Sequence, residues 1–60
     1  MSHSEAERLA AEVILGGVVW ATVERQDRYF VVVADAPSGR YTLRDGADWS
    51  WLRGRISGNV

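Results

Sequence analysis

Val18-Val19-Trp20-Ala21-Thr22-Val23-Glu24-Arg25, then Gln26-Asp27, then Arg28-Tyr29-Phe30-Val31-Val32-Val33-Ala34, is the stretch that decides the fold. Both apolar runs are rich in β-branched and aromatic residues and too short for typical helices, so they read as two strands of a hairpin. With Gln26-Asp27 as a two-residue loop, Arg25 lies opposite Arg28, a mildly unfavourable like-charge pair. Side chains alternate along a strand, which divides the hairpin into two faces. One face carries Val19, Ala21, Val23, Phe30, Val32 and Ala34; the other carries Val18, Trp20, Thr22, Tyr29, Val31 and Val33. Both are largely apolar, so each needs something to cover it.

Upstream, Ser4 followed three residues later by Glu7 reads as a capping box that opens a helix. Ala6, Leu9, Ala10 and Val13 recur at helical spacing, while Glu5, Arg8 and Glu12 fall on the other side; this is an amphipathic helix with one buried stripe. Gly16-Gly17 ends it. Residues 1–3 before it read as a frayed tail.

Downstream, Pro37-Ser38-Gly39 is turn chemistry and leads to a third strand, Arg40 to Arg44. The register with Ala34 opposite Tyr41 and Val32 opposite Leu43 is preferred, because it keeps Arg40, Thr42 and Arg44 out of the layer that the helix covers. Asp45-Gly46 reads as a type I′ hairpin turn. A fourth strand would then pair Thr42 with Trp49 and Arg40 with Trp51, gathering both tryptophans beside Trp20. The competing reading makes Asp48 the cap of one helical turn, Trp49 to Arg53, stopped by Gly54. The strand reading is preferred, although it aims Asp48 at the helix-covered face. Residues 57–60 read as a loose tail.

The expected fold is therefore α+β, one domain over residues 1–60: an N-terminal helix packed on an antiparallel meander of three or four strands. Its core would comprise Leu9, Ala10, Val13, Ala21, Val23, Phe30, Val32, Tyr41 and Leu43. Sixty residues bury only about 60% of the unfolded surface. A chain this small commonly needs a staple, and with no cysteine, disulfides and thiolate metal sites are excluded. Self-association is the staple left.

Seven basic and eight acidic residues are spread evenly, so neither a polybasic nor an acidic recognition patch can be read from the charge. No apolar run is long enough to span a membrane, and nothing reads as a signal peptide, which makes a cytoplasmic protein the default expectation.

No catalytic set is apparent. His3 is the only histidine and lacks the positioned nucleophile and orienting group that acid–base chemistry needs. The serines occupy cap, turn and terminal positions. Asp45 and Asp48 offer too few oxygens for a calcium or magnesium site, and turn and cap roles account for both. Ser38-Gly39-Arg40 lacks a phosphate-loop pattern and a following helix. No enzyme, metal or cofactor is expected.

The informative constellation is the second sheet face. Trp20, Tyr29, Arg40, Arg44, Trp49 and Trp51 are the candidate partner-binding residues, because tryptophan, tyrosine and arginine are enriched at interface hot spots. The alternative structural reading is that the C-terminal segment folds over this face and buries the rings. The expected function is a non-enzymatic protein-binding module: a small regulator or inhibitor docking on a larger protein, of the kind phages and mobile elements carry against host defence complexes. That class rests on analogy, from small size and the absence of a catalytic set. Two alternatives remain, a structural homodimer and a sheet surface for single-stranded nucleic acid. The second is disfavoured by the net charge and by Glu24 and Asp35.

Overall fold

The computed structural model describes residues 1–57 and runs α1 (His3–Leu15), β1 (Trp20–Gln26), β2 (Tyr29–Ala36), β3 (Gly39–Leu43) and α2 (Gly46–Ser57). It is an α+β fold in which the three strands form an antiparallel meander in the order β1-β2-β3. The tail expected at residues 57–60 lies outside the described residues, except that Ser57 closes α2.

The capping box forms two residues earlier than the Ser4 and Glu7 pattern implies. The Glu5 N–H donates to Ser2 Oγ (3.2 Å) and the Ser2 N–H donates to Glu5 Oε1 (3.3 Å). The Ser2 hydroxyl first, and the Ser2 N–H second, hold the Glu5 carboxyl below its ordinary pKa. The same Ser-x-x-Glu spacing occurs twice, and the earlier copy extends the helix at its start. Nor does the chain fray before it, because the Phe30 N–H donates to the Met1 carbonyl (2.9 Å) and the His3 ring meets Phe30 edge-on. The stripe Ala6, Leu9, Ala10 and Val13 is buried as its spacing requires. Gly17 takes a φ of +105° at the exit, a conformation an L side chain rarely adopts.

The hairpin forms with its turn one residue further along the chain, which shifts the pairing register by two. Asp27-Arg28, not Gln26-Asp27, occupies the loop, so that Gln26 lies opposite Tyr29 and Trp20 opposite Asp35. Asp27 supplies the positive φ (+58°), which aspartate tolerates better than most residues. The shift also places Arg25 opposite Phe30 and removes the Arg25 and Arg28 clash. A shift of two preserves face assignment, and the β2–β3 register is as expected, with Val32 opposite Leu43 and Ala34 opposite Tyr41.

The fourth strand does not form. Asp45-Gly46 starts a helix rather than a hairpin: Asp45 Oδ1 accepts from the Asp48 N–H (3.0 Å), and Asp48 Oδ2 accepts from the Arg44 N–H (2.8 Å). Asp45 is thus the cap, with Asp48 reaching back over the junction. Nor does Gly54 stop the helix, which runs to Ser57. Trp49, Leu52 and Ile56 recur at i, i+3 and i+7, and Trp49 and Leu52 are buried in the core with Ile56 packed against them. Burial of that stripe outweighs the roughly 1 kcal/mol that an interior glycine costs.

Both helices lie on the same side of the sheet. The core joins Ala6, Leu9, Ala10 and Val13 of α1 and Trp49 and Leu52 of α2 to Ala21, Val32, Ala34, Ala36 and Leu43. Of the residues expected there, Val23, Phe30 and Tyr41 are only partly buried. Val18 belongs to the core as well, because β1 starts after it, and Val19, assigned by alternation to the helix-covered face, is exposed. The opposite sheet face has no helix on it among the described residues.

Candidate surface for partner binding

The register determines what the uncovered face presents. Reading across the strands, its rows are Trp20, Asp35 and Arg40; then Thr22, Val33 and Thr42; then Glu24 and Val31; then Gln26 and Tyr29, although Val31 is fully buried and Val33 half-buried, so that the rings and polar side chains make up what is exposed. Trp20 and Tyr29 stand at opposite ends of the hairpin, about 20 Å apart at the usual rise of a strand. Tyr29 donates weakly to Gln26 Oε1 (3.5 Å) at its own end. At the other end, Arg40 Nε donates to Asp35 Oδ1 at 2.8 Å. That hydrogen bond first, and the carboxylate's charge second, raise the Arg40 pKa above its ordinary value. The pair is solvent-exposed, so it orients Arg40 more than it stabilises the fold.

The six candidate residues do not form one cluster. Trp20, Tyr29 and Arg40 share the uncovered face. Arg44 follows the last ladder residue of β3, with its backbone N–H tied to Asp48. Trp49 is a core residue, 5% exposed, whose ring closes on Gly16 at the end of α1. Trp51 is 55% exposed on α2, edge-on to Tyr41 with the Arg55 guanidinium 5.2 Å from its ring, away from the uncovered face. The cause is the change of period: residues two apart share a face of a strand but diverge by roughly 200° around a helix.

A different grouping emerges at the α1–β1 corner. Leu15 is 88% exposed, Val19 68% and Trp20 56%, with Ile14 beside them at 39%. Four of the six large exposed apolar side chains among the described residues therefore fall within seven residues of chain. A signal for this exists in the sequence, since Leu15 continues the Arg8 and Glu12 side of the helix at i+7 and i+3, an apolar residue on a polar stripe. Neither a family model, nor a curated protein, nor a solved structure matches the chain.

Several polar side chains are engaged in local structure. Asp45 and Asp48 are occupied as helix caps, and His3 Nε2 faces Glu7 Oε1 (3.2 Å) on the exposed side of α1. Among the described residues no three histidine, cysteine or acidic side chains cluster as a metal site would need, and no helix is long and apolar enough to cross a membrane. Ser38 Oγ shares a 2.8 Å hydrogen bond with the Tyr41 hydroxyl, and Ser2 is engaged at its cap.

Proposed function

We propose that this chain is a small non-enzymatic binding module that docks on a larger protein through the α1–β1 corner and the adjoining end of the uncovered sheet face. Leu15, Val19 and Trp20 supply the apolar contact, and Arg40, held by Asp35, supplies an oriented polar group at its rim. The observation that carries this reading is the exposure of three large apolar side chains at one corner of a molecule with little apolar surface to spare. Burying one such side chain is worth about 1.5–3 kcal/mol, and contiguous exposed apolar patches mark interaction sites.

A nucleic-acid platform draws less support from the same face. Its ladder cation Arg40 is already paired with Asp35, Glu24 stands two rows away, and phosphate neutralisation supplies much of the affinity in such complexes.

The test is affinity capture from the native host, then titration of the recovered partner with variants. Trp20→Ala and Leu15→Ala are expected to weaken binding by at least about 30-fold between them, the scale of a hot-spot aromatic, with the fold unchanged because both side chains face water. Arg44→Ala is expected to leave affinity within about twofold. Undiminished binding by both corner variants would remove this reading, and salt-sensitive binding to single strands would replace it.

A further inference from the structure

β1 is a sheet edge of seven residues with no strand on its outer side. The other edge, β3, is shorter, and α2 packs beside it. An unpaired edge is a template for another strand, and which backbone groups it offers follows from the hairpin. A two-residue loop closes on a pair that exchanges both hydrogen bonds, so Gln26 and every second residue before it, Glu24, Thr22 and Trp20, bond to β2. The Phe30 N–H, donated to Met1 on the far side of β2 from β1, fits this phasing. Ala21, Val23 and Arg25 therefore direct their N–H and C=O groups outward, and no described hydrogen bond uses them.

We infer that β1 pairs antiparallel with β1 of a second copy of this chain about a two-fold axis at Val23, giving a continuous six-stranded sheet. Centred there, Val23 exchanges two hydrogen bonds with the partner's Val23, while Ala21 and Arg25 exchange two each with the partner's Arg25 and Ala21. All three outward donors and all three acceptors of each copy are satisfied. The neighbouring symmetric registers are worse. Centring on Thr22 calls on the Val19 N–H, which already donates to the Asp35 carbonyl at 2.7 Å. Centring on Glu24 or Arg25 sets like charges against each other. In the Val23 register Glu24 meets the partner's Thr22, and Arg25 meets the partner's Ala21.

The helical layer accommodates the same axis. α1 packs over β1 and β2 alike, so its axis lies about one strand spacing from the dyad, and the two α1 helices come about 10 Å apart. Packed helices stand at about that distance. The flank of α1 that would meet its copy is the one away from Trp49, carrying Glu7 and the partly exposed Ile14. The interface is isologous and closed, and it supplies the staple that sixty residues without cysteine otherwise lack. Of the binding corner, Leu15 and Val19 stay outside the pairing, while Trp20 lies at its end, opposite the partner's Gln26.

The test is the dimer dissociation constant by sedimentation equilibrium for Thr22 variants, which sit on the exposed face and leave the monomer intact by circular dichroism. Thr22→Glu opposes the partner's Glu24 at two symmetric places and is expected to weaken the dimer about tenfold; Thr22→Lys creates two attractive pairs and is expected to tighten it several-fold. Arg25→Pro removes an outward N–H while sparing the β1–β2 bonds, and is expected to abolish dimerisation. A single-copy mass at millimolar concentration, or a dimer indifferent to both charge variants, would overturn the inference.

Discussion

Gly16→Ala lowers stability by about 2 kcal/mol and the melting temperature by roughly 10 °C, an unusually large effect for adding one methyl group at a helix end. A Cβ at Gly16 would stand 2.4 Å from Cζ2 and 2.7 Å from Cη2 of Trp49. The loss is steric rather than conformational, because Gly16 has a φ of −83°, which alanine adopts freely. The indole cannot retreat cheaply, being wedged at 5% exposure between the two helices. Thermal denaturation of a double-mutant cycle separates the two causes. In a Trp49→Phe background, whose smaller ring vacates the outer half of the indole, the cost of Gly16→Ala is expected to fall by at least about 1 kcal/mol. An equal cost in both backgrounds would place the fault in the backbone.

Trp49→Ala is expected to cost about 3–5 kcal/mol, enough to unfold a domain of this size near room temperature. Trp51→Ala, two residues on, is expected to cost no more than about 1 kcal/mol, because over half of that side chain is in water and what it loses is one edge-on contact with Tyr41 and one cation–π contact with Arg55. Urea denaturation of the two variants checks the contrast. A fourth strand carrying both tryptophans on one face would give them comparable costs, so the ratio reports the secondary structure of this segment as well as its packing.

That segment is where the sequence misled, and the reason is physical. Trp49-Ser50-Trp51 reads as strand alternation, and Asp45-Gly46 is a strong hairpin signal. The deciding stripe, Trp49, Leu52 and Ile56, spans Gly54, which reads locally as a stop. Only the tertiary gain from sealing the β3 side of the core makes the helix continue through it. The α1 stripe, by contrast, was legible because its period is uninterrupted and its polar side is nearly clean. The two sheet faces were legible despite a hairpin register misplaced by two, since face assignment depends on parity alone. Row composition does not survive such a slip: the Asp35–Arg40 pairing follows from the expected β2–β3 register, but the misplaced hairpin sets Trp20 beside Val33 instead of beside that pair.

The site suffered more than the fold from these local errors. A strand would hold Trp49 and Trp51 on one face, whereas the helix separates them, one into the core and one onto another surface. Leu15 and Val19 were passed over because an exposed apolar residue looks no different in sequence from a buried one. Only the position of Leu15 on the charged side of α1 marks it in advance.

The central claim is that α1 and α2 share one face of the sheet and leave the other, with Trp20, in water. Paramagnetic attenuation of the three indole N–H resonances by a soluble, uncharged nitroxide, at protein concentrations where the chain is monomeric, tests it directly. Strong attenuation of Trp20 and Trp51 with Trp49 spared is the predicted result. Protection of Trp20 alongside Trp49 would mean that the chain covers both faces of its own sheet, and would contradict the account.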